Sequence, residues 1–144
     1  MTSIDSVLAA KGRDVATISA EASLSQAAAE LARRRIGALV VLGTEGAIAG
    51  ILSERDLVRG LAEHGAALLQ QGIDSLMTSE VVTVEPDVAV LSALGLMTKR
   101  RVRHLPVLSG ESLVGIVSIG DLVKHRMERI EAEASAMRDY IQSA

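Results

Sequence analysis

Two short stretches of the chain carry the same polar groups at the same spacing. "GILSERD" holds Ser53 and Asp56, and "GIVSIGD" holds Ser118 and Asp121. A Ser-x-x-Asp ahead of an apolar run is a capping-box pattern, in which hydroxyl and carboxylate satisfy backbone amides at a helix start. The same groups can serve a ligand. A serine hydroxyl, the free amides of a first helical turn and the helix dipole together favour a phosphate. An ionised aspartate only accepts hydrogen bonds, so it can take both hydroxyl protons of a ribose. The motif thus has a phosphate end and a sugar end, and the cap and ligand readings do not exclude each other.

The motif occurs twice because the chain repeats. Val15–Leu42 aligns with Val81–Leu108, with identities at Val15/Val81, Thr17/Thr83, Ala27/Ala93, Arg34/Arg100, Arg35/Arg101, Leu39/Leu105, Val41/Val107 and Leu42/Leu108. After a turn that is one residue shorter in the second copy, Gly50–Arg59 aligns with Gly115–Lys124. Each copy predicts the order β-α-β-β-α. A strand comes first, "VATIS" or "VVTVE". A helix follows, with Leu24, Ala28 and Leu31, or Val90, Leu94 and Met97, at helical spacing. Ser23 with Gln26 predicts a capping box at the first of these helices, and Pro86–Asp87 marks the start of the second. Two apolar strands joined by a glycine-containing turn come next, and the closing helix begins at Ser-x-x-Asp. A unit this small is marginal alone, so the two are expected to cover each other's apolar faces.

Composition narrows the function. Aromatic residues are 1% of the chain, so no platform exists for stacking single-stranded bases. The formal charge of −3 gives no basic footprint for nucleic acid. The absence of cysteine excludes disulfides and thiolate zinc sites. His64, His104 and His125 have no metal-ligand spacing, and no nucleophile–base grouping stands out. No apolar run reaches membrane-spanning length, and the N-terminus lacks a signal-peptide pattern. The expectation is a cytoplasmic, non-catalytic protein without a metal or cofactor. Beyond the repeats, Val123, Met127, Ile130, Ala134, Met137 and Ile141 step by four and three, as in an a/d seam. That pattern fits either a dimerising helix or one packed on its own domain.

The order of elements, with "HLPVL" followed by "GIVSIGD", resembles the CBS domain, named for cystathionine β-synthase. The tandem resembles a Bateman module, from about Ser6 to Lys124. The resemblance implies an α+β fold of two CBS repeats, 6–69 and 70–125, packed around a pseudo-twofold axis, with a helical tail over 126–144. It implies adenine-nucleotide binding (AMP, ADP or ATP) in the cleft between repeats, with Asp56 and Asp121 holding ribose beside Ser53 and Ser118. The matching base-binding edges lie near Thr17 and Thr83, along Gly37–Leu39 including Ala38, and along Arg103–Leu105 including His104, with Pro106 against the base. The clusters Arg33–Arg35 and Lys99–Arg103 are the phosphate candidates, Arg35 and Arg103 among them, and their other reading is a solvated helix end. Arg55, between Ser53 and Asp56, is a further ligand candidate. Copy one departs from the family's strand pattern, with Ala38 and Val40 where copy two has His104 and Pro106. With Arg103 in place of Gly37, the second copy is expected to bind more tightly. A homodimer signalling to an unidentified effector protein is expected. The alternatives are a sensor of NAD or S-adenosylmethionine, and a ligand-free dimerisation scaffold.

Overall fold

The computed structural model describes residues 2–143, which form two compact units. One unit runs from Val15 to Val81. The other joins helix α1 (Ile4–Lys11) to the chain from Val82 onward. The fold is α+β, with two small sheets and a long C-terminal helix.

In the Val15–Val81 unit, β1 (Thr17–Ser19) runs parallel to β2 (Ala38–Leu42). β2 pairs antiparallel with β3 (Ile48–Ser53), with Ala38 opposite Ser53. Between β1 and β2, α2 (Leu24–Arg34) begins on a complete capping box: Ser23 Oγ accepts the Gln26 amide at 3.1 Å, and Gln26 returns the bond to the Ser23 amide at 2.9 Å. It ends at Arg35, whose left-handed backbone (φ 54°, ψ 48°) turns the chain into β2. α3 (Glu54–His64) follows β3 directly and stops at Gly65. Leu24, Ala27 and Leu31 of α2 pack with Leu39 and Leu52 of the sheet and Leu57 of α3. Leu68 and Ile73, from short 3-10 turns after α3, complete this core.

The second unit follows the same plan. α4 (Val90–Arg100) ends at Arg101 in the same left-handed conformation, φ 55°. The hairpin of β4 (His104–Ser109) and β5 (Ser112–Ser118) turns at Gly110 and leads straight into α5 (Ile119–Ser143). Two expectations change here. "VVTVE" is not a strand: only Val84 pairs, in a single parallel bridge to Val107. The cause lies in β4. In the first unit the Val40 amide donates to the Ala16 carbonyl at 3.1 Å, but Val40 corresponds to Pro106, which has no amide hydrogen. α4 does not start at Pro86–Asp87 but at Val90, after Ala89, with no side-chain cap. The Pro86 carbonyl instead accepts the Asp5 amide of α1 at 2.8 Å. The tail is the continuation of α5, one helix of 25 residues that extends past the repeat as expected.

The N-terminal stretch belongs with the second repeat, so residues 6–14 pack there and not with the repeat they precede in sequence. Ile4, Val7 and Leu8 lie in one core with Val84, Met97, Leu105 and Val117. The linker after the first repeat plays the same part in the first unit. "Ile4-Asp5-Ser6" and "Ile73-Asp74-Ser75" share a sequence and a place. Ile4 donates its amide to Val88 and Ile73 donates to Ala22, residues that match across the repeats. Leu8 lies over Gly115 and Met77 lies over Gly50.

These two glycines are contact positions. A Cβ on Gly50 would stand 2.7 Å from Met77 Sδ and 2.8 Å from the Thr78 carbonyl oxygen. One on Gly115 would stand 2.6 Å from Leu8 Cδ2, a side-chain end. Gly50→Ala is therefore expected to destabilise the protein by about 1–3 kcal/mol, and Gly115→Ala by less, because a backbone oxygen yields less readily than a leucine methyl. Urea denaturation of the two variants checks the order.

Candidate functional site

The two Ser-x-x-Asp motifs occupy equivalent strand-to-helix junctions. At the first, Ser53 Oγ accepts the Asp56 amide at 3.1 Å, and Asp56 Oδ2 accepts the Ser53 amide at 3.0 Å. At the second, Ser118 Oγ accepts the Asp121 amide at 3.1 Å and Asp121 Oδ2 accepts the Ser118 amide at 2.8 Å. Both are reciprocal capping boxes. A third bond fixes each junction to the start of its hairpin: Glu54 donates to the Gly37 carbonyl at 2.9 Å, and Ile119 to the Arg103 carbonyl at 2.8 Å.

This geometry gathers most of the expected residues, copy by copy. Gly37, Ala38, Ser53, Arg55 and Asp56 share one end of the β2–β3 hairpin. Thr17 lies on the adjacent strand, opposite Val40. Arg35, Ile36 and Gly37 also line an open groove of about 430 Å³ between α2 and α3, together with Glu54 and Leu57. In the second unit, Arg103, His104, Ser118 and Asp121 share the matching end of β4–β5, with His104 opposite Ser118. Pro106 lies two residues further along β4, buried, opposite Ile116. Thr83 precedes the Val84 bridge and is half-buried.

The arginine clusters separate into two kinds. Arg33 and Arg34 both bind Glu30, at 3.0 and 2.8 Å, which makes them part of an ordinary i,i+3 and i,i+4 helix pairing. The hydrogen bonds from Arg34 and then Arg33 hold the Glu30 carboxyl below its usual range. Among the described residues, Arg35, Arg55 and Arg103 form no ion pair and are exposed.

The residue that sequence reasoning missed is Lys11, the last of α1. Its ammonium donates to Asp121 Oδ2 at 2.7 Å and to the Ile116 carbonyl at 2.8 Å. The corresponding carbonyl in the first unit, that of Ile51, accepts the backbone amide of Thr78 at 2.9 Å. One sheet-edge acceptor is thus met by a peptide in one copy and by a lysine in the other. The doubled "IDS" was the available signal. Thirteen positions separate Ile4 from Thr17 but only ten separate Ile73 from Thr83, and the longer spacing accommodates a helical turn ending in Lys11. Partial burial pushes the Asp121 carboxyl up. The Lys11 hydrogen bond, the Ser118 amide and the lysine charge outweigh that and hold it below its ordinary value.

The CBS domain family model matches residues 11–63 and again 73–128. A curated relative, the mitochondrial CBS domain-containing protein CBSX3 of Arabidopsis thaliana, is 33% identical over 149 aligned residues, covering 98% of this chain and 72% of its own length. The crystal structure of the CBS-domain protein ATU1752 from Agrobacterium tumefaciens superposes with a TM-score of 0.84 at 42% identity, over 87% of this chain and 93% of that one. The CBS domain protein PAE2072 of Pyrobaculum aerophilum, solved with AMP, superposes with a TM-score of 0.74 at 26% identity, over 83% of this chain and 89% of that one.

The Lys11–Asp121 pair gives a pH signature. A carboxyl whose folded pKa is depressed stabilises the fold above the unfolded value, about 3.9, and loses that contribution as pH falls through the folded value. Lys11→Met is expected to cost about 0.5–1 kcal/mol at pH 7, the range of a half-exposed pair. The difference from the parent should shrink as pH falls below about 4 and vanish once Asp121 is protonated in both states. Urea titrations of both proteins from pH 7 to pH 3 measure it.

Proposed function

The chain belongs to the CBS-domain family, and on that premise we propose that it is a non-catalytic regulatory module whose two repeats each bind an adenine nucleotide (AMP, ADP or ATP). The observation that carries this reading is the doubled junction. Each repeat presents a serine hydroxyl and an aspartate at the first turn of a helix, locked by three hydrogen bonds beside a hairpin end. Phosphate fits the helix start and the ribose diol fits the carboxylate. The base would lie along the Gly37–Ala38 and Arg103–His104 edges. That PAE2072, a family member, was solved with AMP supports the ligand class. Ligand binding would favour one arrangement of the module and so report nucleotide level to an effector protein in the cytoplasm. Exposed apolar residues such as Val58 on α3 and Leu91 on α4 support association with a second copy.

Lys11 reverses the expected ranking of the two sites. Oδ2 of Asp121 already accepts both the Ser118 amide and the Lys11 ammonium. Its lone pairs are taken, and its charge is balanced. Among the described residues, the Asp56 carboxylate accepts only the Ser53 amide, so both of its oxygens retain capacity for a diol. The first site is therefore the tighter one, despite Arg103 in the second.

Titration calorimetry with AMP, ADP, ATP, NAD and S-adenosylmethionine tests the reading. Asp56→Ala should lower the tighter affinity by about one to two decades, the worth of a charged hydrogen bond. Asp121→Ala should leave it intact, and Lys11→Met should strengthen the weaker phase. No heat from any of the five on nucleotide-free protein would leave a dimerisation scaffold.

A further inference from the structure

We propose that α5 pairs with α5 of a second copy as a parallel, in-register two-stranded coiled coil. The inference deepens the self-association within the proposed function. It can fail without touching the nucleotide sites: the second of them occupies the first turn of α5, ahead of the seam, and the tested positions begin at Met127.

The helix has a face and no partner for it. Of its 25 residues only Leu122 is buried. Met127, Met137 and Ile141 are 63%, 60% and 65% exposed, and Val123 and Ile130 are also open. These residues, with Ala134, fall at alternating d and a positions: Val123, Ile130 and Met137 at d, Met127, Ala134 and Ile141 at a. The helix continues unbroken past the packed core, and no residue of the seam is buried. Packing on its own domain is thus not what the seam does.

The flanking charges choose the partner and its direction. The seam places Lys124, Glu131 and Arg138 at e, and Arg126, Glu133 and Tyr140 at g. In a parallel pair each g residue meets the e residue of the following heptad on the other helix. Arg126 then faces Glu131, and Glu133 faces Arg138, in both directions across the dimer. Every charged contact is between opposite signs. An antiparallel pair that uses the whole seam, with Met127 against Met137, sets Glu131 against Glu131, Glu133 against Glu133 and Lys124 against Arg138. Sliding it by a heptad relieves the repulsion but leaves one end of the seam without a partner. A second copy in parallel register satisfies both the apolar stripe and the charges.

The chain has no cysteine, which permits a clean test. Met127→Cys and Met137→Cys are made separately in the full chain and oxidised at the concentration used for sedimentation. A parallel, in-register pair sets each cysteine opposite its own copy, so both variants should form disulfide-linked dimers in high yield. Adding Glu131→Arg and Glu133→Arg, which turns four charged flanking positions positive, should cut the crosslinking rate at least tenfold. No antiparallel register brings both the 127 pair and the 137 pair within reach. Crosslinking at only one position overturns the parallel register. Crosslinking at neither, in protein that sediments as a dimer, shows that self-association bypasses α5. Crosslinking at neither in a monomer leaves the seam to another protein. AMP titration of the same two variants reads the nucleotide proposal independently.

Discussion

Each repeat depends on one junction, where the last hairpin strand becomes a helix with no intervening loop. The first amides of a helix have no partner within it. Here the serine accepts one, the aspartate holds the serine's own amide, and the next is taken by the carbonyl at Gly37 or Arg103. These bonds tie the helix start to both strands of the hairpin. They also determine where hydroxyl, carboxylate and strand edge stand relative to one another. The groups that the proposed function assigns to phosphate and ribose are therefore held in place by the fold itself. Such preorganisation reduces the ordering cost of binding.

The repeats are equivalent at that junction and diverge around it. Pro106 takes an amide out of the second sheet, and the strand that should lie beside it is reduced to Val84. The outer edge differs as well, since Thr78 closes it with a peptide bond in one unit and Lys11 with an ammonium in the other. The same lysine neutralises Asp121. The backbone contact at the edge involves no aspartate, whereas the lysine contact reaches Asp121. The difference between the two junctions thus originates in the segment that precedes the first repeat but packs on the second.

The repeat and the helix starts after Ser23, Ser53 and Ser118 were legible because they depend on local signals. Ser53 and Ser118 cap the helices that their spacing indicates, and Ser23 pairs with Gln26 as its pattern requires. The seam of α5 was visible as periodicity, and its exposure needed the structure. What sequence reasoning missed is tertiary. Pro106 weakens a neighbouring strand across the sheet, an effect absent from the composition of "VVTVE" itself. Pro86 suggests a helix start by its type, but its carbonyl is used by α1 and the helix waits until Val90. The packing of residues 4–11 on the second repeat is written in the doubled "IDS", which a search confined to the main repeat passes over. Lys11 is a lone lysine in a polar stretch, and only the contact of α1 with β5 makes it a neighbour of Asp121.

The central claim is that both junctions are preformed nucleotide sites. Amide NMR spectra of the ¹⁵N-labelled chain titrated with AMP test it most directly. The account predicts that the amides of Gly37, Ala38 and Ser53 to Asp56 shift at the lowest AMP concentrations. Those of Arg103, His104 and Ser118 to Asp121 should follow at higher concentration, with the amides of α5 beyond Met127 unmoved. Spectra unchanged at saturating AMP, or shifts confined to residues outside both junctions, would contradict it.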